Sequence, residues 1–380
     1  MQIERIGKDH PDLQTLQHDS RWEMETAYTL PLIKAGAGVY VRNVQTDVQL
    51  LRAGGHLLPI TINVSEYDNS YVCSPYSACI RYTLEELYLL RSRLLQKGLS
   101  MVIGAIAPLL KKAMIDQNVH LNNWLLSTNL YEPIEREVLQ EITNRLTEEF
   151  SDYALIFRSL NNVTNAEMIN DLLCLDYLMV PSRQVYFFDG RAPDYLRKKN
   201  NVWDRKLLEK APFAIVEHDE IQANDYPRIK ELYDLLYIEK YSSINPQFTT
   251  AYFENAHKQK LIQMKGLRDG NGVLQGIVGC FIRGDVITVP LVGYNTALPQ
   301  QTGLYRMLIS MVLQEAAERS QLLHLSSGAA HFKRLRGGKP AIEYSAVYVR
   351  HLPAARKIVW TFFSSLLHKV GVPIMRKYQL

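Results

Sequence analysis

The segment Pro299-Gln300-Gln301-Thr302-Gly303-Leu304-Tyr305-Arg306 joins a strand-patterned run, Val286 to Tyr294, to an amphipathic helical run that opens at Gly303. A chain that turns from strand into helix leaves backbone N–H groups without intrahelical acceptors, and the helix dipole adds positive potential there. A pyrophosphate can accept those bonds, and glycine lets backbone and ligand approach closely. Gln300, Gln301, Thr302, Gly303, Leu304, Tyr305 and Arg306 are therefore candidate phosphate-seat residues, with Val292 and Gly293 at the end of the preceding strand. Four groups could move protons: the phenols of Tyr294 and Tyr305, the imidazole of His324 and the carboxylate of Glu239. Lys333, Lys198 and Lys199 could meet an anionic group. Each has an ordinary structural reading too: core tyrosine, satisfied histidine, solvated glutamate, surface lysine.

The elements that must position these residues occur twice. In the second half, Phe213–Glu217 reads as a strand, and Asp225–Tyr241 and Phe248–Lys260 read as helices. Leu261–Leu267 and Val273–Arg283 form a hairpin across Asp269-Gly270-Asn271-Gly272, followed by the strand Val286–Tyr294. A helix over Gly303–Arg319, a strand at Leu322–Ser326, a short helix at His331–Leu335 and a strand at Ile342–Val349 complete the series. The first half shows a similar order: strands at Gly38–Val44, Val48–Arg52 and His56–Val64, then a helix opened by a capping box at Thr83 and Glu86 and continued by Leu87, Arg91 and Leu95. Gly98 is a natural stop, and the apolar run Met101–Ile106 reads as a buried strand before a short helix at Leu109–Ile115 and a strand at His120–Leu126. Aligning Thr83 with Gly303 makes Ser74–Tyr82 the counterpart of the phosphate loop. It has no glycine and carries Pro75, so the first copy is expected to hold no cofactor and to complete an acceptor cleft. The charged stretch Asp194–Lys210 reads as a helix bridging the halves.

A chain of 380 residues with 47% hydrophobic and 22% charged residues suits two globular domains. Cys73, Cys79, Cys174 and Cys280 lack metal-ligand or disulfide spacing, so no metal is expected and a reducing compartment fits. The N-terminus has no apolar signal core, and Met101–Leu110 is too short to cross a bilayer. The mild net charge of +4 allows an anionic partner without requiring one.

This order resembles the GNAT (Gcn5-related N-acetyltransferase) fold, in the tandem FemABX-like and CelD-like branch. The charged helix Tyr195–Lys210 resembles the basic helix that precedes the second half in that branch. Gln300-Gln301-Thr302-Gly303-Leu304-Tyr305 resembles the acyl-CoA loop Q/R-x-x-G-x-G/A, with Tyr305 where a small residue is usual, and His331-Phe332-Lys333-Arg334-Leu335-Arg336-Gly337 resembles the branch's aromatic-Lys element. The resemblance implies an α/β (α+β) fold with a mixed sheet in two tandem GNAT-like domains, the first degenerate. Its expected boundaries are a flexible segment at 1–25, domains at 26–192 and 193–350, and a basic amphipathic segment at 351–380. It also implies an acyltransferase that moves an acyl group from acyl-CoA, or a carrier-protein thioester, to an amine on a small molecule, glycan or lipid-linked acceptor. The strand before the loop, at Val292, Gly293 or Tyr294, would offer a backbone N–H to the thioester carbonyl, on a bulge that Gly293 permits. An aminoacyl-tRNA donor and a non-catalytic binding protein are the alternatives. No DNA partner is implied. The expected location is cytoplasmic, with membrane contact through the C-terminal segment as one reading of that segment and packing on the first half as the other.

Overall fold

The computed structural model describes residues 3–90 and 92–378, so Arg91 lies outside the described residues. The chain forms two compact units, residues 1–184 with 342–380, and residues 185–341. The boundaries fall inside two strands rather than at 192/193 and 350/351, and the C-terminal segment belongs to the first unit.

The first unit runs β1 (Ile3–Ile6), α1 (Glu23–Ala35), β2 (Asp47–Ala53), β3 (His56–Val64), α2 (Arg93–Lys112), β4 (Gln117–Leu121), α3 (Arg136–Glu149), β5 (Ala154–Asn161), α4 (Ala166–Cys174) and the start of β6 (Leu178–Asp189). Within the segment expected to be flexible, Ile3–Ile6 form an edge strand paired with β2, from Ile3 opposite Ala53 to Ile6 opposite Leu50. Residues 37–40 are a helical turn instead of a strand, and β2 and β3 form the expected hairpin. β3 runs antiparallel to β4, and β4 parallel to β5. Leu139, Ile142 and Leu146 of α3 pack at helical spacing against Leu155 and Phe157 of β5.

The second unit takes the end of β6 and continues with α5 (Lys199–Lys210), β7 (Ala214–Val216), α6 (Tyr226–Asp234), α7 (Thr250–Lys258), β8 (Gln263–Arg268), β9 (Leu274–Arg283), β10 (Val286–Tyr294), α8 (Leu304–Glu318), β11 (Leu322–His324), α9 (Ala330–Leu335) and the start of β12 (Lys339–Tyr348). Past α6 the helix widens into a π-helical stretch, Leu235–Tyr241. Its strand order is β6-β11-β10-β9-β8-β7, with β10 and β11 parallel and the other pairs antiparallel. Leu304, Met307, Leu308, Met311 and Val312 turn the apolar stripe of α8 into the core. The charged helix α5 packs within this unit, on α8, and is not a bridge. The chain then returns to the first unit, where β12 pairs antiparallel with β5 and is followed by α10 (Ala354–Leu366) and α11 (Val372–Tyr378).

Both units share one series: strand, helices, three strands, helix, strand, helix, strand. The repeat holds, but its register differs from the sequence reading. β3, which the sequence order sets against Val286–Tyr294, corresponds instead to β9, and the counterpart of α8 is α3, not the helix near Thr83. The segment from Ser77 through α2 is an insertion between β3 and β4 that the second unit lacks, its β9 and β10 being joined by a tight turn at Gly284 and Asp285. Met101–Ile106 lies inside the 20-residue helix α2 and is not a strand. A short apolar run does not distinguish a buried strand from a helix by periodicity. Read over its whole length, Arg93–Lys112 keeps the helical period; the six-residue window Met101–Ile106 is too short to show it.

Candidate functional site

In the second unit β10 pairs with β11 only from Val286 opposite Leu322 to Thr288 opposite His324. One extra residue then enters β10 between Thr288 and Leu291, where Pro290 has no N–H to offer. Beyond it, β10 stays with β9 through Tyr294, while the chain leaving β11 stays with β6: the Leu325 N–H donates to the Tyr186 carbonyl at 2.9 Å. The two parallel strands therefore part. The bulge that parts them lies at Val289-Pro290, not at Gly293.

The register shows which N–H groups face the parting. The Asn295 N–H donates to the Gln275 carbonyl, so Asn295, Gly293 and Leu291 form the hydrogen-bonded pairs with β9. By alternation, Val292 and Tyr294 point their N–H groups away from β9, toward the gap. Gly293 serves another purpose: a Cβ there would lie 2.6 Å from the Leu232 carbonyl carbon and 2.7 Å from the Tyr233 nitrogen, so glycine lets α6 lie against β10. Gly293→Ala is expected to cost about 2 kcal/mol of stability, read as a fall in denaturant midpoint, because backbone on both sides must move.

The loop that follows is largely exposed and ends at Gly303, in left-handed conformation with φ +74°. A side chain at Gly303 would also strike Leu207 of α5, whose Cδ2 lies 2.5 Å from the Cβ position. Gly303 caps α8 without a side chain, and the first α8 N–H with a helical acceptor is Met307, to the Gly303 carbonyl at 3.0 Å. The N–H groups of Leu304, Tyr305 and Arg306 are thus the unsatisfied first turn, which carries no acidic residue. In the first unit, α3 starts with Glu135 and Glu137. There the chain leaving β4 also folds back onto β5: the Asn129 N–H donates to Ser159 Oγ at 3.0 Å, and Trp124, Leu125 and Leu126 are buried. The loop counterpart is therefore residues 122–135, not Ser74–Tyr82, and its own side chains fill the space.

Around the α8 N-terminus a buried carboxylate holds two guanidinium groups. Asp204 of α5 accepts from Arg306 Nε and Arg336 Nε, each at 2.6 Å. Arg336 is buried, which pulls its pKa below the usual arginine value, and it stacks over the Phe332 ring at 3.3 Å. Arg306 remains partly exposed, so the group carries one net positive charge beside the helix start. Tyr305 packs between Phe332 and Tyr294, at centroid distances of 4.9 and 6.1 Å, and burial followed by the neighbouring phenols pushes its own phenol well up. Lys240, on the widened turn after α6, donates to the Tyr294 hydroxyl oxygen at 3.0 Å, leaving the phenol proton free to be given elsewhere.

Tyr294, Tyr305 and Arg306 thus come together with Asp204, Arg336 and Lys240, which were not candidates from the sequence. The i, i+4 tyrosines Tyr233, Tyr237 and Tyr241 were the available signal for the widened turn that carries Lys240. His324 does not join them: it is buried, its Nδ1 accepts from the Ser326 N–H at 3.1 Å, and its ring meets Phe187 edge-on at 4.6 Å. Lys333 is neither a surface lysine nor an anion binder. It is buried, and its ammonium donates to the carbonyls of Leu325 (2.5 Å), Ser326 (3.2 Å) and Ser327 (2.7 Å), fixing the turn after β11. Lys198, Lys199 and Glu239 are exposed. Burial pushes the thiols of Cys73, Cys79 and Cys280 up to about 12, which makes them poor nucleophiles. A cavity of about 150 Å³ lies along the far part of α8, where Lys265, Glu217, Glu315 and Arg319 neutralise one another.

No protein-family profile and no curated protein matches the chain. Among solved structures, FemX matches 97% of this chain and 100% of its own at 8% identity, with a TM-score of 0.51. The fold is the tandem GNAT, FemABX-like fold. Weaker likenesses include the tandem GNAT protein from the clavulanic acid biosynthesis pathway (10% identity, 91% of this chain and 98% of that one, TM-score 0.40) and the C-terminal domain of a putative lysylphosphatidylglycerol synthetase from Agrobacterium fabrum (12%, 61% and 79%, TM-score 0.44).

Proposed function

We propose that the chain is an acyltransferase whose second unit seats the donor, a thioester of CoA or of a carrier protein. The observation that carries this reading is the parting of β10 from β11, with the N–H groups of Val292 and Tyr294 turned into it beside the acid-free first turn of α8. The pyrophosphate accepts from Leu304, Tyr305 and Arg306 N–H groups and gains from the net charge of the Asp204 group. The pantetheine arm lies in the gap, where a strand N–H polarises the thioester carbonyl. An amine of a small molecule, glycan or lipid-linked precursor attacks that carbonyl directly and the carbon–sulfur bond breaks. The amine's proton passes to Glu239 or solvent, and the leaving thiolate takes the Tyr294 proton. Tyr305 is a packing residue that shapes the seat. No metal is required.

Gln301→Asp tests the donor seat cleanly. Gln301 is exposed, and a carboxylate ahead of a helix favours the helix while repelling phosphate. The wild type is expected to melt several degrees higher with CoA thioesters. The variant is expected to fold as well and to bind them at least about tenfold more weakly. Equal stabilisation of both proteins would remove phosphate from the α8 N-terminus.

A second reading, an aminoacyl-tRNA donor, is favoured by one feature. Lys199, exposed Trp203, Lys206 and Lys210 recur at i, i+4, i+7 and i+11 along α5, a basic stripe with an aromatic in it. Salt-sensitive tRNA binding lost in Lys206→Glu, with no thermal shift from any CoA thioester, would select it.

A further inference from the structure

Helices α2 and α10 both lie in the first unit and share one core cluster, Ile106 and Leu110 from one, Trp360 and Phe363 from the other. They meet where Arg356, at the start of α10, caps the end of α2: its guanidinium donates to the carbonyls of Ala113 (2.8 Å), Met114 (3.1 Å) and Asp152 (2.6 Å). Their outer faces are apolar and exposed. Leu94 and Met101 are 84% and 72% exposed and Ile358 is 67% exposed, with Leu109 and Phe362 about half exposed. Isolated exposed apolar residues are ordinary, but two adjoining helices exposing them together mark an interaction surface.

The charge pattern identifies the partner. Between Arg93 and Lys112 there is no aspartate or glutamate, and none follows Glu343 to the end of the chain. The charged residues of these helices are all basic; Lys97 and Lys112 of α2 are exposed, as are Lys369 and Lys377 in the π-helical stretch and α11 that continue α10. Helix α2, and the continuous run Ala354–Tyr378 that joins α10 to α11 through a π-helical stretch, are long and apolar enough to cross a membrane by length and composition. Their inner faces are committed to the fold, however, and insertion across a bilayer would strip Arg356 of its three acceptors and Trp360 of its core. A second copy of the chain would set lysines against lysines, because the same patch meets itself across a two-fold axis.

We infer that α2 and α10 form a docking surface for an anionic lipid bilayer, lying in the interface with the apolar residues among the acyl chains and the lysines at the headgroups. The position of α2 as an insertion absent from the second unit accords with an added function.

The test is co-sedimentation of the full chain with phosphatidylcholine vesicles and with vesicles containing phosphatidylglycerol. Binding to the anionic vesicles is expected to exceed binding to the neutral ones by about tenfold or more and to weaken with salt. Met101→Glu with Phe362→Glu is expected to lower it by about tenfold again, with an unchanged thermal melt, since both residues are exposed. Absence of sedimentation with either vesicle, or binding that the double variant leaves intact, overturns the inference. So does a dimer in solution that Met101→Glu dissolves, which would give the surface to a second copy. Failure on any count leaves donor binding by the second unit as a separate matter, read by the Gln301→Asp comparison.

Discussion

Replacing Asp204 with alanine is expected to cost about 3 kcal/mol of stability, because removing one partner of a buried ion pair strands the other. Arg336 is buried and would lose the acceptor of its Nε, and Arg306, partly exposed, would lose its own. Three elements meet at this carboxylate: α5, the first turn of α8 and the end of α9. Their loosening is expected to lower the melting midpoint by roughly 10 °C, at about 2–4 °C per kcal/mol for a unit of this size. Asp204→Ala combined with Arg336→Met is expected to recover part of the loss, since it removes the stranded charge and keeps apolar volume over Phe332. Urea midpoints of the two single variants and the double variant measure the coupling. A loss below about 1 kcal/mol for Asp204→Ala would mean that water reaches both guanidinium groups and that the α8 N-terminus is not held this way.

Tyr294→Phe is expected to lower kcat by about a hundredfold in acyl transfer to an amine while leaving donor affinity within about twofold. The tyrosine's N–H faces the gap, its ring packs beside Tyr305 at the start of α8, and Lys240 occupies a lone pair of the phenol oxygen rather than its proton. Tyr305→Phe is expected to do far less, because packing raises that phenol's pKa and so weakens it as an acid. Measuring kcat of the two variants side by side separates them: the large fall should follow Tyr294→Phe and not Tyr305→Phe. The reverse pattern would transfer the thiolate's proton to Tyr305.

The second half was legible because its signals are local. Glycines and asparagine mark the β8–β9 hairpin, a largely apolar strand ends at Tyr294, and the α8 stripe repeats at helical spacing. The first half was legible only in part: the β2–β3 hairpin was read, but the strands expected near 38–44 and 101–106 are helical, and the insertion carrying α2 displaced every later element in the alignment of the two halves. The site was partly legible. Gly303 and the α8 start follow from turn chemistry, whereas the Asp204 group depends on α5 packing against α8, a long-range fact no spacing carries. His324 and Lys333 misled for a common reason: a titratable side chain next to a candidate loop looks chemical in sequence, and burial against carbonyls or an aromatic edge assigns it to the fold. The Val289-Pro290 bulge was written in the sequence as a proline within a strand, the residue that cannot continue a ladder on both sides.

The central claim is that the donor thioester lies between β10 and the start of α8. Hydrogen–deuterium exchange of the intact chain, with and without CoA thioesters of several acyl lengths, tests it most directly. The account predicts slowed exchange in peptides covering Val292–Tyr294 and Leu304–Arg306, and none in the counterpart segment 122–135. Protection confined to 122–135, or no protection by any thioester at saturating concentration, would contradict it.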